Sequence, residues 1–480
     1  GSRFDGLVDV LLPDESLART PQSKLIASVY FAMNKSNLLP QPYPLRQALN
    51  DEVHSRPTEA LWPQERVFHI ALLVQGDVTP EIVGQLQALV DYCGCKPVSD
   101  EELAAPQVSL SLCGGESALR LRLERHNEFI TLTFFERADH AIVFDRPVTR
   151  RLPPSWMAAL PGVMLVAIEL FVQKTENPRE PRSVAGYFDG NTLIGGMIAN
   201  GAGQVFSDLR IADRGASRIL ICNLKMGSRQ LGRVVQRAIE METYRMMALL
   251  SFPVARATLP KLSSYEDRLV KLATEMAETS KTEDLAEVTS EDVELDRKLL
   301  SQLTDLAARV EQLSAENRVR FTAAEAYTDL VKKRIAELKE IPMVGMQTFG
   351  EFMDRRLGPA MKTCTWTARR QDELAARISR VTQLLRTRVE IERESQNQRL
   401  LTSMDKRAKV QLRLQETVEG LSIVAISYYG ASLVGYLAKG LKTVGVPVSP
   451  DLAIAVAIPT IAVLAYVSMQ AMKKRMGLKG

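Results

Sequence analysis

Cysteine is scarce in this 480-residue chain: Cys93, Cys95, Cys113, Cys222 and Cys364 are all there is. Five thiols in so long a chain do not make a disulfide framework, and they suit a reducing, cytosolic compartment. Aromatic residues make up only 6% of the chain, too few to suggest a base-stacking surface. Charge of one sign is also lacking. Lys and Arg number 61 against 57 Asp and Glu, a formal net charge of +4, which is no footprint for nucleic acid. The short catalytic signatures are missing too: there is no Walker lysine, no HExxH and no GxSxG. Asn200-Gly-Ala-Gly lies between two expected strands and not ahead of a helix, so it does not match a phosphate loop. Neither an enzyme nor a resident cofactor is expected.

What is present is an ordinary globular composition, 46% hydrophobic and 25% charged. At about 100–200 residues per domain the length predicts two or three folding units. A mean hydropathy of −0.07 excludes a polytopic membrane protein but leaves room for one or two spans. Those spans lie at the C-terminus. No charge occurs between Glu419 and Lys439, or between Asp451 and Lys473. Each run has about 20 residues, the length a helix needs to cross a hydrocarbon core. Lys406, Arg407, Lys409 and Arg413 precede the first run, and Lys473, Lys474 and Arg475 follow the second. Positive charge stays inside, so both termini are expected in the cytoplasm and the short loop outside. These basic groups are expected to meet anionic lipid headgroups. Leu17–Met33 has interspersed polar residues and lacks a signal-peptide pattern. The chain opens on Gly1-Ser2 without a Met, which reads as a remnant of expression.

The first span carries Ser427, Ala431 and Gly435 at intervals of four, a small-residue stripe that lets helix backbones approach closely. It is expected to be the inner helix of a homo-oligomer, with Ser427, Tyr428, Ser432 and Tyr436 as candidate pore-lining residues. The second span is aliphatic and expected to face lipid. Upstream, Trp366–Glu419 has no Pro or Gly, and its apolar residues recur every three or four positions. That predicts a stalk helix of roughly 75 Å running into the membrane. Its middle, Glu390–Arg399, is almost entirely polar. Gly227–Lys339 is helical in pattern, broken at Pro253 and Pro260, with a polar acidic linker at Thr279–Thr289 and an end at Pro342 and Gly345.

The first half reads as strands at Val67–Val74, Val108–Cys113, Leu119–Arg125, Glu128–Glu136, Ser183–Phe188, Leu193–Ile198, Gln204–Ala212 and Arg218–Leu224, with Val163–Val172 either strand or helix and a helix at Pro80–Asp91. The fold class is therefore an α+β cytoplasmic domain, then long helices, then a two-helix transmembrane hairpin. The segments divide at 1–60, 61–226, 227–365, 366–419, 420–438, 439–451, 452–472 and 473–480.

Four histidines occur: His54, His69, His126 and His140. His69 falls in a strand and reads as an ordinary strand position, and His126 sits in a hairpin turn. The densest polar cluster is Asn50 to Pro57, with Asp51, Glu52, His54 and Arg56, which reads mainly as a turn or interface. Cys93, Cys95 and Cys113 lack a fourth ligand for a soft metal.

Two patterns, Leu49-Asn-Asp-Glu-Val-His-Ser-Arg-Pro57 and the helix from Gly232 to Leu250, resemble those of an uncharacterised proteobacterial family described as predicted membrane-anchored proteins. That resemblance brings no activity and implies a bacterial inner membrane. The order of parts also resembles the plan of CorA-type magnesium channels, which implies a pentamer and transport of a divalent cation. The Gly-Met-Asn signature of those channels is absent here, and Tyr428-Tyr429-Gly430-Ala431-Ser432 lies in the corresponding span. Lys439 and Lys442 in the outer loop would also repel a dication, at roughly 1 kcal/mol per close pair in water. The competing expectation is a non-catalytic membrane-anchored scaffold whose cytoplasmic domain binds a partner.

Overall fold

The computed structural model describes residues 43–46, 50, 58–112, 119–138, 142–282, 290–443, 445 and 447–475. The cluster with Asp51, Glu52, His54 and Arg56, together with Cys113 and His140, lies outside the described residues. The chain divides into two compact units. One takes residues up to Ser264 together with Glu311–Glu373, and the other takes Tyr265–Val310 together with Leu374 onward.

The first unit is built on an eight-stranded sheet in the order β2-β3-β4-β1-β5-β8-β7-β6. The strands are β1 (Glu65–Leu73), β2 (Gln107–Ser111), β3 (Leu119–Arg125), β4 (Phe129–Arg137), β5 (Val163–Lys174), β6 (Ile194–Ile198), β7 (Gly203–Ile211) and β8 (Ser217–Asn223). Every pairing is antiparallel except β5 with β8. Between β5 and β8 lie two more strands, long enough to return the chain for a parallel pairing. The apolar run Val163–Val172 is thus a strand, and its length suits a place inside the sheet.

One face of the sheet carries α1 (Thr79–Tyr92), followed by the short α2 (Asp100–Leu103). Ile82, Leu86 and Leu89 of α1 pack on Phe68, Leu121, Leu123 and Phe134, all buried. Ser183–Phe188 is not a strand. Pro181 opens a short helix α3 (Pro181–Val184) that tightens into a 3-10 turn, Ala185–Phe188. A proline is favoured in a first helical turn, where no N–H is needed, and the i, i+4 pair Val184 and Phe188 is buried on one side.

The opposite face carries α4 (Ser228–Leu249) with portions of α5 (Ser251–Thr282), α6 (Ser290–Leu338) and α7 (Phe349–Thr443). The turn into α4 is fixed by Asn223, whose side chain accepts from the N–H of Met226 at 2.9 Å and donates to its carbonyl at 3.2 Å. A Cβ at Gly232 would stand 1.7 Å from the carbonyl oxygen of Glu59, so only glycine lets the first turns of α4 pass beneath residues 58 and 59. The path breaks just ahead of Pro253, where α4 stops at Leu249 and α5 starts at Ser251, but it does not break at Pro260. Pro253 occupies the first turn of α5, and Pro260 lies inside it. The hydrogen bond lost at Pro260 is offset by burial of Ala255 and Leu262 on either side. The helix α6 ends at Leu338, ahead of Pro342, because Lys339 turns to a φ of +51° and Ile341 then pairs with Met197 at the sheet edge. Likewise α7 begins at Phe349, well before Trp366, and carries Pro359 within it.

In the second unit, α5, α6 and α7 bury Leu269, Leu272, Leu299, Leu303, Leu306, Ile378 and Leu385. Arg388 ties these helices together: its guanidinium donates to the carbonyl of Met276 at 3.2 Å and lies 3.3 Å from the carboxylate of Asp296, which is 1% exposed. Beyond that point the apolar side chains of α7, among them Leu400, Met404, Leu414 and Val418, are exposed. The last helix, α8, covers Pro450–Arg475. Within α7 and α8 lie stretches long and apolar enough to cross a membrane, with mean hydropathy of 1.5 and 2.2.

Candidate functional site: a polar cavity on the sheet

Strand alternation places one set of side chains from β1, β3 and β4 beneath α4. On a sheet covered on both faces, that set is expected to be apolar. Here it is not. Register puts His69 opposite Thr133, Thr133 opposite Arg122, and Thr131 opposite Glu124, a polar row across three adjacent strands. The Leu119-Arg-Leu-Arg-Leu alternation thus sends its polar half toward a helix and not into solvent. Between that row and α4 is a cavity of about 250 Å³.

The floor of the cavity is deeply buried. His69, Arg122, Thr131, Thr133, Phe129 and Thr243 are each less than a tenth exposed. His69 is held at both ring nitrogens, with Nδ1 2.8 Å from Thr133 Oγ1 and Nε2 3.1 Å from Thr243 Oγ1. Thr243 spends its only hydroxyl proton on the carbonyl of Ile239, 3.0 Å away. Its oxygen therefore accepts from Nε2–H, and Nδ1 accepts from the Thr133 hydroxyl, which assigns the neutral Nε2–H tautomer. Burial pushes the imidazole pKa down to about 3, and the nearby His126 adds to the shift. Held neutral and saturated on both sides, His69 orders the floor and is not available as a proton carrier. Thr131 also lines the cavity, but its Oγ1 is fully buried, closed off from the cavity space, and has no hydrogen-bond partner among the described residues.

The mouth is half-buried and charged. Arg122 Nη2 donates to Glu124 at 2.7 Å, and Arg334 pairs with both Glu240 and Glu337. Burial raises the pKa of Glu240, with Arg334 and the amide of Gln236, 2.7 Å away, opposing it. Glu59 also lines the rim. His126 stacks on Phe129 at 4.2 Å, so the hairpin-turn histidine belongs to the wall of the cavity. Tyr244 stacks on Tyr327, whose hydroxyl donates to Glu128 at 2.6 Å. Arg320 grips Glu128 with two bonds of 2.8 and 2.9 Å. Burial alone would raise the pKa of Glu128, but Arg320 and Tyr327 hold it below the ordinary value.

The site residues expected from sequence lie elsewhere. Ser427, Ala431 and Gly435 face α8 of the same chain: a Cβ at Gly435 would come 2.7 Å from Ile454, and one at neighbouring Gly430 2.9 Å from Ile461. Ser427 and Ala431 are buried by that packing. At 3.6 residues per turn, Tyr428, Ser432 and Tyr436 fall on a different side of α7 from Ser427. Tyr428 and Tyr436 are exposed, and Ser432 is half-buried with its hydroxyl donating to the carbonyl of Tyr428 at 2.9 Å. The four pore-lining candidates therefore do not share a face. Lys406, Arg407, Lys409 and Arg413 are exposed on α7, with Lys409 paired to Asp405 at 2.7 Å, and Lys473, Lys474 and Arg475 close α8. Among the described residues no group of three or more His, Cys, Asp or Glu is placed to hold a metal ion. The thiol of Cys95 points to the carbonyl of Leu112 at 2.7 Å.

The family model described as "Protein of unknown function (DUF3422)" matches residues 41–476. No curated protein matches the chain.

Proposed function

We propose, from the premise that the chain belongs to the DUF3422 family of proteins of unknown function, that it is a membrane-anchored binding protein. Its α+β unit holds a small ligand in the cavity beneath α4, and its C-terminal hairpin anchors it in the bilayer. One observation carries this reading. The helix from Gly232 to Leu250, one of the two patterns singled out in the sequence, supplies seven of the residues that line the cavity. The other pattern, Leu49 to Pro57, leads directly into Thr58 and Glu59, and Glu59 is on the rim. Glycine and alanine contacts between α7 and α8 support a self-packed anchor. Basic residues flank both spans on one side, which favours cytoplasmic termini and headgroup contacts worth about 1 kcal/mol each.

Incubation of the purified full chain with a metabolite extract, followed by mass spectrometry of what stays bound, should show enrichment of a small compound. Val235→Trp, which fills the cavity, should abolish that enrichment. An extract that leaves nothing bound to the wild type rejects the binding reading. In alkaline carbonate the full chain should stay with the membrane pellet, whereas a chain ending at Leu414 should be released.

A second reading is favoured by Tyr428, Tyr429 and Tyr436, which are exposed on the side of α7 away from the Ile454 and Ile461 contacts. Phenol groups facing hydrocarbon lack partners, and a second copy of the chain would cover them. This is the homo-oligomer of CorA-like plan, with ions passing along the tyrosine face in place of the hairpin contact. It requires a particle several times the monomer mass and Mg²⁺, Co²⁺ or Ni²⁺ flux into liposomes. An assembly without flux supports the anchor.

A further inference from the structure

We infer that the cavity beneath α4 takes a neutral, polyhydroxylated ring, a sugar or cyclitol. This rests on the binding reading above and specifies its ligand. The first argument is charge. The cavity carries two guanidiniums, Arg122 and Arg334, and three carboxylates, Glu59, Glu124 and Glu240. Each guanidinium already has a carboxylate against it. Glu59 is held in turn by Arg120, so every charge at the wall is matched; an anionic ligand would have to displace a carboxylate and a cationic one an arginine. Both lose a desolvated pair, whereas a neutral ligand loses none.

The second argument is hydrogen-bond character. The Arg122–Glu124 pair offers donors beside acceptors at the cavity wall, and Gln236 offers both on one side chain. A hydroxyl donates and accepts at the same oxygen, so it can join such a pair and leave both members satisfied. The third argument is shape. The ring of Phe129, backed by His126, and the ring of Phe135 give the cavity apolar panels. The C–H faces of a sugar ring pack on such panels while its hydroxyl edge meets the polar row. The volume of about 250 Å³ is enough for one substituted six-membered ring.

The test uses the full chain in a polyoxyethylene detergent, because maltoside and glucoside detergents would compete. Equilibrium dialysis is run against glucose, galactose, mannose and myo-inositol, against glucose 6-phosphate and glucuronate, and against adenine and uracil. At least one neutral polyol should bind, and its charged counterpart should bind at least tenfold more weakly. Gln236→Leu should weaken that binding at least tenfold, since it removes both a donor and an acceptor from the cavity wall. Glu124→Gln should weaken it as well and stands in if Gln236→Leu fails to fold. Preference for the charged compounds or the bases overturns the ligand class and leaves the binding reading standing. The same is true if no compound in the panel binds while the metabolite extract still yields one. Polyol binding unchanged in both variants overturns the site.

Discussion

Between pH 6.5 and pH 3 the wild-type chain should lose stability that a His69→Gln variant keeps, a difference approaching about 5 kcal/mol at the acid end. The sign follows from the buried imidazole. In the unfolded chain His69 takes a proton as the pH falls below 6.5, while in the folded chain it stays neutral until about 3. The unfolded state thus binds more protons across that window. Stability contributed by the neutral ring is present above 6.5 and drains away at about 1.4 kcal/mol per pH unit below it. Glutamine reaches Thr133 and Thr243 with one donor and one acceptor and does not titrate, so the fold survives the exchange. Glu65 works in the opposite direction. It is buried at the start of β1 beside Arg120, and burial lifts its pKa from 4.5 to about 7. The folded form therefore gains a proton between pH 7 and 4.5 that the unfolded form does not, which adds stability as the pH falls. The two effects oppose one another from 6.5 to 4.5, and only the loss from His69 continues below. Denaturant melts of wild type and variant at half-unit pH steps measure the difference. Parallel curves would show that His69 titrates alike in both states.

Asp296→Ala should destabilise the helices of the second unit by about 3–5 kcal/mol, because it strips the partner from a largely buried arginine. Asp296 is 1% exposed, and Arg388 has a side-chain exposure of 18%. The Arg388 guanidinium cannot neutralise itself, so it must pull out to water and disturb the packing of Leu299, Ile378 and Leu385 around it. Hydrogen exchange in Tyr265–Thr282 and Leu374–Leu385 should quicken, while the β-sheet keeps its protection. A double variant, Asp296→Leu with Arg388→Met, should recover most of the loss, since an apolar pair of similar size removes both desolvation costs. Failure of the double variant to recover would assign the effect to something other than the ion pair.

The helices, including the two stretches long and apolar enough to cross a membrane, were legible in the sequence because periodicity and unbroken uncharged runs are local properties. So were most strands: Leu119–Arg125 matches its β-strand residue for residue. Ser183–Phe188 was not, since a six-residue apolar and polar mixture fits either period until its neighbours choose. Pro260 also misled, because a proline's local penalty is outweighed by side-chain burial that only the fold supplies. The cavity was the least legible part. Its residues come from three strands and two helices, and each has a bland local context. His69 is an ordinary strand residue by position, and Arg122 is the polar half of an alternating strand. The signal that was available is a histidine, two threonines and an arginine on the inward phase of adjacent strands, which an apolar core does not contain.

The sequence by itself determined the class of the protein: a charge-balanced α+β chain with long helices and two C-terminal runs of membrane-spanning length. Composition and period suffice for that, since both act over a few turns of one element. Only the tertiary structure decided which side chains share a space. The small residues of the first span pack within their own chain, and the polar row of the sheet lies under a helix instead of facing water. Both outcomes depend on register and on which helix covers which face, and those are set by contacts between residues far apart in the chain.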